Sequence, residues 1–379
     1  MAYESVDKLQ NVLGNKIFHY TKDKKKAAGR ALGTIVEIIT YYLLKTWGFN
    51  NSISIERGLV EYGNEEIRHN VEYSLHPIIE EFEVSLKNEG GSVTSTKIFN
   101  ALKNNNSLSQ FEKRNNNLLD KHKVLRNACT IGESQDSFLL VSLKNSDEEK
   151  HELLVYEQIK KPYAIIECKR VGVEEGIKKG PQTIEKAKQG AYVALTASSL
   201  QRIRTDTGKK YGIIYRSNNE PYIKPYNELM EEIIYSNNSE LLKKFILTVG
   251  VVSNHGNWFT AENHNKELKV LAQAYDWLLF LTDKGLSQFI DDLILNPKQE
   301  YLKVQEAFKI SYAANKKRNV FTKVKMDFDA DTLLQNYFSK NLSVIENWFN
   351  IITPHGNDII ELKNEFTELS SKNWKEILL

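Results

Sequence analysis

Apolar residues recur at helical spacing through Leu32, Ile35, Val36, Ile39 and Leu43, and this predicts a helix over 27–47 that stops at Gly48. The period then changes to two. Residues 52–56 and 67–76 alternate apolar and polar and predict two strands, the second ended by Pro77. Apolar runs at 137–143 and 152–156 flank a polar turn at 145–150 and predict a hairpin. After Lys161 and Pro162, a short run of Tyr163, Ala164, Ile165 and Ile166 predicts a buried strand, and another follows at 211–215. Pro181 opens a predicted helix running from Gln182 or Thr183 to Leu195.

Between these elements, residues 77–125 read as an inserted segment. It holds a short helix at 78–86, a turn at Gly90 and Gly91, and a second helix at 93–102. Two helices around a glycine turn are compatible with a DNA-reading helix-turn-helix or with a simple packed pair. Beyond Pro225 helical spacing dominates, over 229–234, 241–252, 268–281, 289–295, 308–312 and 333–349. The expectation is an α/β protein. Residues 1–224 form a mixed β-sheet core flanked by helices, and 225–379 form a mainly helical subdomain.

The predicted strand at 163–170 carries the chemistry. Glu167 and Lys169 close it two positions apart, so both side chains point to one face. An unpaired buried charge costs several kcal/mol, about 3–5 when its partner is removed. A shared face with two charges therefore calls for partners, water or a cation. Glu-x-Lys also begins at Glu148, Glu267 and Glu361, but in polar or helical surroundings where such charges are ordinarily solvated. Three further acids accompany the strand. Glu37 lies within the apolar first helix, Glu72 alternates with Val71 and Tyr73 on the second strand, and Asp136 immediately precedes the hairpin. A basic stretch follows the strand, with Lys178, Lys179, Lys186 and Lys188 around the start of the next helix. Free amides and basic side chains at a helix start favour phosphate oxygens.

Composition narrows the partners. The 379 residues carry 51 Lys and Arg against 49 Asp and Glu, a net charge of +2, so affinity for nucleic acid must come from local clustering. Two cysteines, Cys129 and Cys168, build neither a disulfide framework nor a thiolate metal site, which fits a reducing cytoplasm. The apolar runs are shorter than the ~20 residues of a membrane span. No phosphate-binding Gly-Lys-Ser/Thr loop points to a nucleotide cofactor, and no Gly-x-Ser-x-Gly or Gly-x-Gly-x-x-Gly points to other hydrolases or a Rossmann enzyme.

From Ala27 to the strand at Tyr211, the order of elements together with Ile165-Ile166-Glu167-Cys168-Lys169 resembles the PD-(D/E)XK nuclease superfamily. The resemblance implies a restriction-endonuclease-like fold. It also implies Mg²⁺ held by Asp136 and Glu167, helped by the Cys168 carbonyl, with Glu72 or Glu37 completing the metal positions. Lys169 would orient or stabilise the attacking water, and Lys178, Lys179, Gln182 and Lys186 would meet DNA. The residue before Asp136 is Gln135, where the family's motif has proline. Chain size and the additional helical region look most like a type II restriction endonuclease: a homodimer acting on double-stranded DNA at a specific site and leaving 5′-phosphates. Alternatives are a repair or recombination nuclease of the same superfamily, or a catalytically silent DNA-binding protein. A competing motif, His255-Gly256-Asn257 with Asn263-His264-Asn265, is reminiscent of ββα-metal nucleases.

Overall fold

A computed structural model describes residues 6–61, 64–102, 106–170, 198–253, 271–313 and 318–378. The first predicted helix is α2 (Lys24–Leu44), preceded by α1 (Val6–Lys16). Asp23 caps α2, its carboxylate accepting from the Lys26 amide at 2.9 Å. The helix continues through a wider turn, Lys45–Phe49, and Gly48 takes the left-handed φ of 98° that lets the chain turn away. The apolar stripe of α2 is fully buried, and Ile38, Tyr41 and Tyr42 are buried with it, so α2 is a core helix. Lys24–Phe49 is the one helix among the described residues long and apolar enough to cross a bilayer, and 67% of its most apolar window is buried inside the fold.

The fold is mixed α/β. Its largest sheet has the order β1 (Ile53–Glu61), β2 (Asn64–Leu75), β11 (Ala164–Arg170), β15 (Leu247–Ser253), β16 (Trp277–Leu281), β18 (Phe349–Thr353). β1, β2 and β11 are antiparallel neighbours, β11, β15 and β16 run parallel, and β18 is antiparallel to β16. α2 packs on one face of β11, in the larger core with Ala164, Ile166 and Cys168. A smaller apolar cluster containing Ile165, Val252, Tyr275, Leu278 and Phe280 covers the other face.

A second, antiparallel sheet has the order β3 (Ile78–Lys87), β10 (Lys150–Ile159), β9 (Ser137–Ser146), β8 (Cys129–Glu133), β5 (Glu112–Lys113). It contains the predicted hairpin as β9 and β10. A four-stranded sheet joins β17 (Lys325–Asp327), β7 (Val124–Arg126), β6 (Asn117–Leu119) and β4 (Val93–Thr94). A three-stranded sheet joins β12 (Gln201–Arg204), β13 (Lys210–Tyr215) and β14 (Pro221–Pro225).

Four expectations are corrected. Residues 78–86 are strand β3, because Phe82, Val84 and Leu86 turn inward while Glu81, Glu83 and Ser85 face solvent, a period of two. With only α3 (Ser95–Ala101) left in that segment, no helix-turn-helix forms there. The stretches 241–252 and 268–281 end in strands β15 and β16, buried at every position, where a continuous apolar run hides the strand period. Residues 225–378 are consequently not a separate helical subdomain, since they supply three strands of the six-stranded sheet. The strand at 211–215 belongs to the three-stranded sheet, and β15 takes the place beside β11 expected for it.

Candidate active site

β11 and β2 pair through Ala164–Leu75, Ile165–Ser74 and Ile166–Tyr73, and there the ladder stops. Glu167 is the next residue, so it sits where the two strands part, at the level of Glu72. It is 2% exposed, while Lys169, two residues on, keeps 30% of its side chain in solvent. The Lys169 Nζ lies 3.0 Å from Glu167 Oε2, yet that buried oxygen has no well-directed hydrogen bond. On the other side Glu167 is in register with Gly250 of β15. Burial raises the Glu167 carboxyl above its ordinary range, Lys169 opposes the shift, and Glu37 adds to it.

Glu72 and Glu56 extend the acidic row. The β1–β2 ladder pairs Ile55 with Tyr73 and Arg57 with Val71, and the Glu56–Glu72 level between them is unpaired. Glu56 has a φ of 53°, a left-handed conformation unusual for a side-chain-bearing residue and common at sites where backbone is held for function. Glu37 approaches from α2, its carbonyl accepting from the Tyr73 hydroxyl at 2.7 Å. Burial raises the Glu37 carboxyl, with Lys323 and then Lys169 pulling it back.

Lys323 stands in the middle of this group. Its Nζ is 3.4 Å from Glu37 Oε2 and 3.1 Å from Glu56 Oε1, and it contacts Glu72 Oε1. Four carboxylates and two ammonium groups are thus gathered at the open end of β2 and β11, leaving two formal negative charges uncompensated.

Glu167, Lys169, Glu72 and Glu37, all singled out by the sequence, come together. Asp136 does not join them. It is exposed in the turn before β9, its carbonyl accepting from the Lys160 amide at 2.8 Å, and β9 belongs to the second sheet. Turn chemistry placed an acid before a strand there, but that strand is not a neighbour of β11, and Glu72 supplies the acid on the adjacent strand. Arg202 is also drawn away from any ligand: its guanidinium donates to the carbonyls of Ala272, Gln273 and Tyr275 and pairs with Asp276 at 3.4 Å. Arg204, Lys209 and Lys210 are exposed on β12 and β13. Lys178, Lys179, Gln182 and Lys186, with His255 and His264, lie outside the described residues.

Sequence reasoning missed Glu56 and Lys323. Glu56 closed a predicted strand and looked like an ordinary edge charge. Nothing local marked Lys323, whose role comes from a contact across the whole chain.

The donor chemistry suits a hard divalent cation, since every group is a carboxylate oxygen. Among the described residues, however, no three acidic, histidine or cysteine groups are posed around one common point for an ion. The ammonium of Lys323 is what Glu37, Glu56 and Glu72 share.

The chain matches no known family model, no curated protein and no solved structure. The arrangement of its own residues is therefore what any functional reading rests on.

Proposed function

We propose that this protein is a Mg²⁺-dependent nuclease of the PD-(D/E)XK type, a site-specific endonuclease on double-stranded DNA. The observation that carries the reading is the Glu167–Lys169 pair, 3.0 Å apart at the end of a buried strand, with Glu72 on the adjoining strand and Glu37 on the helix behind. A mixed sheet in which β1, β2 and β11 form an antiparallel meander and β11 is followed by parallel β15 agrees with a restriction-endonuclease-like core.

Phosphodiester hydrolysis needs a hydroxide beside an anionic phosphate and relief of charge on the leaving oxygen. A divalent ion supplies both when bound, by acidifying water and polarising the phosphoryl group. Glu167 with Glu72 or Glu37 would hold it. Lys169, half in solvent and level with Glu167, can donate to the attacking water and stabilise its developing negative charge. Tyr275 and the apolar residues around Ile165 keep bulk water from the inner side of Glu167, which strengthens each of these interactions. The resemblance implies 5′-phosphate ends and a homodimer with one site per strand.

One observation favours a second reading, a catalytically silent DNA-binding protein: Lys323 already neutralises part of the acidic row. Incubation with plasmid or phage DNA and Mg²⁺ separates the cases. Discrete fragments with 5′-phosphates are expected. Structure-dependent nicking would point to a repair nuclease instead. Binding without cutting, under all divalent metals, would reject the catalytic reading.

A further inference from the structure

Three carboxylates from three separate elements meet one ammonium. Glu37 comes from α2, Glu56 from β1, Glu72 from β2, and Lys323 from a turn nearly 250 residues further along the chain than the strands it serves. That turn is held in place. The Thr322 amide donates to the Lys325 carbonyl at 2.8 Å and the Lys325 amide donates to Thr322 Oγ1 at 2.9 Å. Asn127, just after β7, clamps it from outside: its side-chain amide donates to the Lys323 carbonyl at 3.0 Å and its backbone amide to the Val324 carbonyl at 2.9 Å. Phe321, fully buried and edge-on to Phe308 at 5.3 Å, anchors the start of the turn. The ammonium is consequently delivered by a fixed backbone, with only 11% of the side chain exposed. Glu72 is 8% exposed, and its buried Oε1 has the Lys323 contact but no directed hydrogen bond.

We propose that Lys323 is a built-in cation filling a divalent-ion position between Glu37, Glu56 and Glu72, so that only the Glu167 end of the row takes up exchangeable metal. The proposal deepens the nuclease reading and rests on it for the Glu167 site. A compact ammonium and a hydrated divalent ion compete for the same oxygens, and a tethered ammonium carries its own effective concentration. Removing it leaves three crowded carboxylates that a divalent cation can hold.

The test is Mn²⁺ uptake by the full chain, measured by titration calorimetry at neutral pH, for the parent, Lys323→Met and Lys323→Arg. Methionine keeps length and removes charge; arginine keeps charge. Lys323→Met should bind one more Mn²⁺ per chain than the parent, and Lys323→Arg should match the parent. If Lys323→Met is unfolded in chelator, Mn²⁺ at millimolar concentration should restore its circular dichroism. Equal uptake by all three proteins, or a Lys323→Met chain that Mn²⁺ does not restore, overturns the proposal. Because the outcome is a difference between variant and parent, a parent that binds no Mn²⁺ and cuts no DNA counts against the nuclease reading alone.

Discussion

The ring of Tyr275 occupies the space where a side chain at Gly250 would stand. A Cβ built on Gly250 meets Cδ2, Cε2 and Cγ of that ring at 2.8–3.0 Å, closer than real side chains approach. Gly250 is the residue in register with Glu167, so a missing side chain on one strand lets an aromatic ring wall the carboxylate on the next. Gly250→Ala should therefore destabilise the fold by about 1–3 kcal/mol through overpacking. Gly250→Ala combined with Tyr275→Ala should lose less than the two single changes added together, because the clash disappears with the ring. Urea unfolding of the three variants measures this, and strict additivity would show that the ring and the glycine are not coupled.

Glu167→Gln and Lys169→Met should each lower DNA cleavage by at least about 100-fold, the usual scale for removing a charge-stabilising or proton-transferring group. Both should keep the parent's fold by circular dichroism. Glu72→Gln should weaken the Mg²⁺ dependence, shifting half-maximal activity to higher metal concentration. Asp136→Ala, exposed and on another sheet, should cut at the parent's rate. A silent Asp136 variant beside a dead Glu167 variant separates the acid of the adjacent strand from the acid suggested by linear order. An inactive Asp136 variant would move the site to the second sheet.

How much of this was legible in the sequence follows from range. Glu167 and Lys169 stood out because two charges at strand spacing close a run that is otherwise apolar, a purely local contradiction. α2 and the β9–β10 hairpin were legible for the same reason, each having a clean period over ten residues or more. β15 and β16 were not. Strands buried on both faces lose the alternation that marks a strand, and Leu247–Ser253 is buried at all positions. Helical spacing can always be found in such a run. β3 was misread where two leading isoleucines masked the alternation that begins at Glu81. Lys323 lay beyond any local pattern, because its meaning depends on Asn127 and three glutamates brought to it by folding.

Mg²⁺ should stabilise the protein more at pH 7 than at pH 5. Burial raises the carboxyls of Glu37 and Glu167, so the folded chain holds their protons more tightly than the unfolded chain does. Their contribution to stability is therefore most favourable when they are protonated, and it is lost as pH rises above the ordinary glutamate value of 4.5. A divalent cation bound to the ionised carboxylates offsets that loss, and protons compete with it at low pH. The rise in melting temperature on adding Mg²⁺, compared at the two pH values for the parent and Glu167→Gln, checks this. The parent should show a larger shift at pH 7 and the variant a reduced one. A shift independent of pH would remove these carboxylates from the ion's ligands.

Acid should unfold the protein through His76, at the far end of β2 from the acidic row. The ring is buried between Ser74 Oγ, 2.7 Å from Nε2, and the Ile159 carbonyl, 2.8 Å from Nδ1. A carbonyl only accepts, so Nδ1 carries the proton and Nε2 accepts from the serine hydroxyl. Burial, with Arg57 adding to it, pulls the imidazole from 6.5 down to about 3. The unfolded chain binds this proton more readily, so the neutral ring's stabilisation is complete above pH 6.5 and falls away as pH drops toward 3. At roughly 1.4 kcal/mol per pH unit, about 2 kcal/mol is gone by pH 5. Urea midpoints at pH 7 and pH 5 for the parent and His76→Gln test the assignment. The variant starts less stable, having lost a matched pair of hydrogen bonds, but should give up about 2 kcal/mol less than the parent between the two pH values. Equal losses would mean that acid sensitivity resides in other groups.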